Sequence, residues 1–186
     1  MSIATLETVQ HKRYTYSDYL MIEDERRYEV YEGELIMVPA PTTTHQTVSR
    51  KIGWVIENFI IENNLGEFFY APTDVVLSED VVLQPDILFI SKDREKIIEE
   101  RAIMGAPDLI VEILSPSSTY YDVVKKKELY RRYGVKEYWL VFIEEKAIEV
   151  LTLEGDVYRE FTSVKGEGSI KSKLLKGLEV VLKEVF

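Results

Sequence analysis

The apolar positions of the chain follow two patterns. One is the spacing of three and four residues that is typical of helices, and the other is the nearly continuous run that is typical of buried strands. Residues 45–64 carry apolar side chains three and four positions apart, as on one face of an α-helix, and Gly66 follows them. Nearly continuous apolar runs in residues 81–90 and 108–114 instead predict strands, the second of them central and buried on both faces. We therefore expect a long amphipathic helix and a sheet with a buried interior.

The remaining segments continue this alternation of helices and strands. A short helix is predicted in residues 14–27 with Ser17 as its N-cap, and a strand pair in residues 28–38 turns at Glu32-Gly33. A second helix is predicted in residues 120–134. Further strands are predicted in residues 67–78, 137–143 and 147–164, and a short helix or strand in residues 174–186. This order indicates an α/β fold with a mixed β-sheet flanked by helices.

The composition is that of an ordinary globular protein. The 186 residues are 46% hydrophobic and 30% charged, which predicts a single domain over residues 14–186 behind a flexible N-terminal tail at residues 1–13. The sequence has no run of about 18 apolar residues that would cross a membrane, and its first residues lack the apolar core of a signal peptide. Because cysteine is absent, disulfides, cysteine-based zinc sites and thiol catalysis are excluded. We expect a cytoplasmic protein.

The charge is acidic overall but unevenly spread. A formal net charge of −10 argues against a protein that coats nucleic acid without specificity, because phosphates would be repelled. Residues 120–137, however, contain six basic side chains against three acidic ones. An acidic protein with one basic segment suits an enzyme that holds metal ions and meets a polyanion on one face, although many other proteins share this pattern.

Two acidic side chains interrupt the apolar strands. Glu112 lies in the middle of the run at 108–114, and Asp86 lies inside the run at 81–90. A buried, unpaired carboxylate is costly and favours its protonated form. The alternative for Asp86 is an exposed position at a strand edge, which Pro85 would mark because proline cannot donate a ladder hydrogen bond.

The helix predicted after Glu112 supplies an inward-facing lysine. At about 100° per residue, its apolar side chains form one arc. Lys126 and Asp122 fall inside that arc, whereas Lys125 lies on the opposite face and Lys127 lies at an angle between the two faces. The arc is defined by Val123, Leu129, Tyr130 and Tyr133.

Two carboxylates and an ammonium are thus expected to face inward from adjacent elements. One interpretation is a structural ion pair of Lys126 with Glu112 or Asp122. The other is metal-assisted phosphodiester hydrolysis, in which hard oxygen ligands hold Mg²⁺ and a lysine orients water or offsets charge.

At these residues the sequence resembles the Uma-type restriction endonuclease family of bacteria, within the PD-(D/E)xK nuclease superfamily. The resemblance spans roughly residues 14–155, in the expected order. Its motifs are QPD at 84–86, VEILSPS at 111–117, the spaced Asp122, Lys126 and Tyr130, and YEGEL (31–35), PAPTTTHQ (39–46) and GVKEYWLV (134–141).

The resemblance implies a restriction-endonuclease-like core in which Asp86 and Glu112 ligate Mg²⁺ or Mn²⁺ and Lys126 is the catalytic lysine. The superfamily usually places that lysine two residues after the second acid, where this chain has Leu114. In the Uma-type pattern the lysine comes from the following helix, which matches Lys126. Four accessory residues are further candidates: Glu34, His45, Asp122 and Tyr130.

The accessory candidates have structural alternatives. Glu34 is either an additional acidic ligand or an exposed hairpin carboxylate, and Glu32 could take its place. His45 could contact metal or a DNA phosphate, although a histidine near a helix start is more often structural. Asp122 could orient Lys126 or cap its helix.

Three functions follow from these patterns. The first is a metal-dependent DNA endonuclease that acts as a homodimer, since cutting both strands needs two sites. The second is a catalytically inactive nuclease-fold binding or assembly module, which the acidic net charge and the displaced lysine favour. The third is a small-molecule binding protein, but the sequence contains no phosphate-binding glycine loop that would support it.

Overall fold

The structure, a computed structural model, describes residues 12–115 and 120–186. Its helices are α1 (Tyr16–Tyr19), α2 (Thr43–Asn63), α3 (Lys127–Tyr133) and α4 (Leu182–Val185), with a 3₁₀ turn at Lys92–Ile97 and a wider π-type turn at Tyr121–Lys126. Its strands are β1 (Arg27–Tyr31), β2 (Glu34–Val38), β3 (Gly66–Tyr70), β4 (Val75–Ser78), β5 (Val81–Leu83), β6 (Ile87–Ser91), β7 (Ile103–Met104), β8 (Leu109–Leu114), β9 (Glu137–Phe142), β10 (Ala147–Glu154), β11 (Val157–Lys165), β12 (Ser169–Lys171) and β13 (Glu179–Val181).

These strands form two larger sheets and one small ribbon. The six-stranded sheet has the order β11-β10-β9-β8-β6-β3, and the five-stranded sheet has the order β2-β1-β5-β4-β7. Strands β8 and β9 run parallel, as do β4 and β7, and the other paired strands are antiparallel. The predicted α/β class with mixed sheets and flanking helices is confirmed.

The central strand β8 separates two layers of core. Its odd-numbered residues pack with the apolar face of α2 and the C-terminal segment. Its even-numbered residues Ile110 and Leu114 pack with α3 and the five-stranded sheet. Side chains of a strand point alternately to the two faces of its sheet, so Glu112 belongs to the second layer.

The predicted strand at 81–90 is in fact two strands. Strand β5 belongs to the five-stranded sheet and β6 to the six-stranded sheet, and residues 84–86 form the bend between them. Proline has no N–H for a ladder bond, so Pro85 suits the point where the chain leaves one sheet for the other. Asp86 therefore lies at a junction between sheets and not inside a strand.

Local signals near the N-terminus are partly confirmed. The turn at Glu32-Gly33 joins β1 to β2, and both residues have positive φ, as such hairpin turns require. The N-cap of α1 is Thr15 and not Ser17, because the Thr15 hydroxyl accepts a hydrogen bond from the Asp18 N–H in a capping box. Of the predicted tail, residues 1–11 lie outside the described residues.

The C-terminal segment combines both predicted possibilities, since it contains strand β13 followed by helix α4. Among the described helices, none has the length and apolar character needed to span a bilayer.

Candidate active site

Strand β8 carries Glu112 into the layer that faces α3. All six residues of β8 are buried, because the strand is flanked by β6 and β9 and covered on both faces. Glu112 is only 2% exposed. Its Oε1 accepts a hydrogen bond from the hydroxyl of Tyr130, at 2.8 Å, and one from Nζ of Lys126, at 3.0 Å.

The inward orientation predicted for Lys126 and Asp122 is confirmed. Both side chains are buried, whereas Lys125 is exposed and Lys127 is half-buried. The π-type turn that precedes α3 carries these residues, and such turns are frequent at functional sites. Nζ of Lys126 lies 3.5 Å from Oδ1 of Asp122, one turn earlier.

Glu29 is a member of this cluster that sequence reasoning missed. Its Oε1 lies 3.0 Å from Nζ of Lys126 and accepts a hydrogen bond from the backbone N–H of Gln84 at 2.7 Å. Its Oε2 accepts a hydrogen bond from the Tyr31 hydroxyl at 2.6 Å. The sequence does contain a sign that Glu29 is buried, because Glu29 stands between Tyr28 and Val30 in a predicted strand. Several other acidic residues lie nearby in the sequence, however, and nothing local distinguishes Glu29 from them.

The bend at residues 84–86 brings Asp86 to the same place. Strand β6 begins directly after Asp86 and pairs with β8 in the register Ile87 to Val111, so Asp86 lies beside the part of β8 that carries Glu112. Oδ2 of Asp86 accepts a hydrogen bond from the Ile113 N–H at 2.8 Å and lies 3.1 Å from Nε2 of His45.

His45 reaches Asp86 from the first turn of α2. It is buried, and its Nδ1 has no hydrogen-bond partner among the described residues. Burial acts to lower the pKa of His45, but the hydrogen bond to Asp86 and the charge of that carboxylate outweigh it and raise the pKa above its usual value. His45 is also one of the residues that line the cavity described next.

Five of these side chains line one cavity of about 290 Å³. Its walls include His45, Asp86, Glu112, Asp122 and Lys126. The two predicted acids, the predicted lysine and the accessory residues His45 and Asp122 are thus brought together, and Tyr130 contacts them through Glu112.

Glu34 is not brought to this cavity. It is exposed on β2 and lines a separate depression together with Glu32 and Arg132. Glu32 is also elsewhere, since it forms an ion pair with Arg132 at 2.6 Å. The carboxylate that β1 and β2 contribute to the cluster is Glu29.

The electrostatics around Lys126 are unbalanced. Three carboxylates, those of Glu29, Glu112 and Asp122, lie within 3.5 Å of one ammonium. Burial raises the pKa of Glu112 well above its usual value, and the charge of Lys126 only partly opposes this. Burial by itself would lower the pKa of Lys126, but Glu112 and Glu29 hold it well above its usual value. Lys126 is therefore charged, and within the described part of the chain the carboxylates of this cluster outnumber its ammonium.

The donor set fits a hard divalent cation. Carboxylate oxygens are the ligands that Mg²⁺ and Mn²⁺ prefer, and the excess of carboxylates favours a cation. Within residues 12–115 and 120–186, however, no group of three or more His, Asp or Glu side chains is already arranged to hold a metal. Oε1 of Glu112 and Oε1 of Glu29 each lie 3.0 Å from Nζ of Lys126.

Comparisons with known proteins bear on the family and the fold of this chain. The model of the Uma2 family, described as "putative restriction endonuclease", matches residues 14–183. A crystal structure described as a putative nuclease of the DUF820 family, from Anabaena variabilis ATCC 29413, superposes with a TM-score of 0.76 at 22% sequence identity, covering 92% of this chain and 97% of that one. At this identity the match shows a shared fold. No curated protein matches the sequence.

Proposed function

The chain belongs to the Uma2 family of restriction endonuclease-like proteins, and on this premise we propose that it is a metal-dependent DNA endonuclease that hydrolyses phosphodiester bonds. The observation that carries the proposal is the meeting of Asp86, Glu112 and Lys126 at one cavity. Two carboxylates beside a lysine are the groups that metal-assisted phosphodiester hydrolysis requires.

Asp86 and Glu112 would hold Mg²⁺ or Mn²⁺ through their carboxylate oxygens. When bound, such a cation offsets the negative charge of the phosphate in the transition state and lowers the pKa of a bound water. In this proposal the excess of carboxylates over ammonium provides the attraction for the cation.

Lys126 acts as a cation in this mechanism and not as a general base. The carboxylates beside it keep its pKa well above the usual lysine value, so it has no free electron pair at neutral pH. Its ammonium orients the attacking water and offsets charge on the phosphate. Tyr130 and Asp122 hold Glu112 and Lys126 in position, since the Tyr130 hydroxyl donates to Glu112 and Asp122 lies 3.5 Å from the lysine.

Metal titration and plasmid cleavage test this function. Calorimetry with Mn²⁺ is expected to show binding to the wild type and none to Asp86→Ala. Plasmid nicking by the wild type is expected to fall at least about 10³-fold in Lys126→Ala, on the scale of losing one catalytic group, and to persist in Lys125→Ala, whose exposed side chain lies outside the cluster. Equal metal binding by wild type and Asp86→Ala would contradict the proposal.

A nuclease-fold binding module without catalysis is the second candidate. It is favoured by the direct contact of Lys126 with three carboxylates, which is also the arrangement of a structural ion cluster. In that case DNA binding would occur without nicking, and Lys126→Ala would change stability alone.

We also propose that the endonuclease acts as a homodimer, because cleavage of both DNA strands needs two sites. Sedimentation of the purified chain is expected to give twice the monomer mass, and a monomer that still linearises plasmid would contradict this.

A further inference from the structure

A second cavity continues outward from the candidate active site. Its volume is about 500 Å³, and it shares Arg27, Pro41, His45 and Asp86 with the first cavity. The first turns of α2 form one wall, and residues 70–72 form the other. We call this second cavity the outer groove, and its inner end is the point where Asp86 and His45 belong to both cavities.

The outer groove holds two arginines that pair with no acid in the part of the chain that the structure describes. Of the nine arginines in the sequence, six form salt bridges with carboxylates. Among the described residues, no carboxylate pairs with Arg27, Arg50 or Arg101, and the first two of these line the groove. Arg27 lines both cavities, so it lies at the inner end, whereas Arg50 lines the outer groove alone.

The other lining residues reinforce this charge. Asp86, at the inner end, is the one acid among the described residues that line the groove, although the protein has a net charge of −10. Gln46 and Thr47 add exposed amide and hydroxyl groups on the same face of α2 as Arg50. Such groups, together with arginine, make most protein contacts to DNA phosphates.

The guanidinium of Arg27 is already held in place. Its Nε donates a hydrogen bond to Oε1 of Gln84 at 3.0 Å, and the amide nitrogen of Gln84 donates to Asp74 at 2.7 Å. An arginine fixed in this way loses less conformational entropy when it binds a phosphate. Arg50, by contrast, is exposed and can be replaced without disturbing the core.

We propose that the outer groove binds the sugar–phosphate backbone of the DNA strand that is cut, on one side of the bond that is cleaved. Arg27 contacts the phosphate nearest the metal ligands, and Arg50 contacts one farther along the strand. This assignment rests on the proposed nuclease function, because it takes the first cavity as the place of cleavage. It gives an acidic protein one path along which a polyanion is attracted.

The test is a salt titration of DNA binding. Affinity for a fluorescein-labelled duplex of about 20 base pairs is measured by anisotropy in EDTA at several salt concentrations, so that binding is observed without cleavage. The variants are Arg50→Ala, Arg50→Lys and the control Arg159→Ala. Arg159 is an exposed arginine on β11, at the opposite edge of the six-stranded sheet from β3 and Tyr70, so its loss changes the net charge equally.

Arg50→Ala is expected to weaken DNA binding by about fivefold or more. The slope of log affinity against log salt concentration should fall by about the amount that one phosphate contact contributes. Arg50→Lys should recover much of the loss, and Arg159→Ala should match the wild type. Wild-type affinity and salt dependence in Arg50→Ala, or an equal loss in Arg159→Ala, would overturn the groove assignment while leaving cleavage by the wild type intact. If the wild type neither binds nor cuts DNA with Mn²⁺, the proposed function fails as well.

Discussion

Two buried carboxylates that lie four residues apart, Asp108 and Glu112, differ in how their charges are matched. Asp108 accepts hydrogen bonds from the N–H and hydroxyl of Ser91, each at 2.8 Å. It also lies 2.9 Å from Arg94 and 2.7 Å from Lys136. One acid therefore has two cations and two neutral donors.

At Glu112 the acids outnumber the cations instead, since Glu112 shares the ammonium of Lys126 with Glu29 and Asp122. The two pKa values shift in opposite directions as a result. Burial acts to raise the pKa of Asp108, but Lys136, Ser91 and Arg94 outweigh burial and lower it, whereas the pKa of Glu112 is raised. The charge of a buried acid with matched partners is compensated within the fold, whereas an acid with too few cations can attract a further cation.

The largest effect on stability is expected from removal of the shared ammonium. Lys126→Met removes the ammonium that lies within 3.5 Å of the Glu29, Glu112 and Asp122 carboxylates, so the free energy of unfolding should fall by about 3–5 kcal/mol. Urea denaturation measures this, with Lys125→Met as the matched control, because Lys125 is exposed and its loss should change stability by less than about 0.5 kcal/mol. Equal effects of the two substitutions would show that Lys126 is not the charge that holds the cluster together.

Asp108→Asn should destabilise the fold by about 3 kcal/mol, because it removes the charge that balances Arg94 and Lys136. Its fully buried side chain leaves little room for water to replace the lost contacts. Nuclease activity per folded molecule should stay unchanged, as measured by plasmid nicking after correction for the folded fraction. Loss of activity in the folded protein would place Asp108 in the site and remove the contrast with Glu112.

Divalent metal should stabilise the wild type. A cation that binds the folded state alone, at ten times its Kd, raises the free energy of unfolding by about 1.4 kcal/mol. Thermal unfolding with and without Mn²⁺ measures this shift, which Asp86→Ala should abolish and Asp108→Asn should retain. A shift that survives in Asp86→Ala would place the metal elsewhere.

The smallest effect is expected from Glu112→Gln, which should change the free energy of unfolding by less than about 1 kcal/mol at neutral pH. The amide oxygen can still accept from Tyr130 and Lys126, and one negative charge is removed from the cluster. Activity should nevertheless be lost, since a proposed metal ligand is missing. A stability loss as large as that of Asp108→Asn would contradict the proposed difference between the two acids.

The pH dependence separates the same two acids. Because the folded-state pKa of Glu112 is raised, its protonated form stabilises the fold below the ordinary value of 4.5, and this contribution is lost as pH rises toward the raised pKa. Glu112→Gln should therefore gain stability relative to the wild type as pH rises above the ordinary value of 4.5 in EDTA. Asp108 has a lowered pKa, so its contribution is present above 3.8 and is lost as pH falls below that value. The stability cost of Asp108→Asn should shrink in acid.

Local periodicity predicts much of this protein. Helix α2 is predicted at 45–64 and observed at Thr43–Asn63, and the helical wheel singles out Lys126 among three consecutive lysines as the buried one. Both predictions succeed because the face on which a side chain lies depends on the helical repeat, which is a property of a few neighbouring residues.

Strand partners were less predictable. The run at 81–90 has the apolar character of one strand, but its two halves pair with different sheets, and only Pro85 hints at the bend. Glu29 was missed for a related reason. Nothing in residues 27–31 indicates that β1 lies beside β5, and that pairing places Glu29 next to the backbone of Gln84 and the ammonium of Lys126.

The amino-acid order was thus sufficient to predict that Glu112 and Lys126 are charges in apolar surroundings, because inward or outward orientation follows from local geometry, whereas it left Asp86 between a buried position and an exposed strand edge. Which charges meet was decided by the order of strands in the two sheets, which joins segments far apart in the chain. The balance between acids and cations depends on those meetings, since electrostatic energy depends on distances in space. For this reason the matched Asp108 and the unmatched Glu112 could be told apart only in the folded protein.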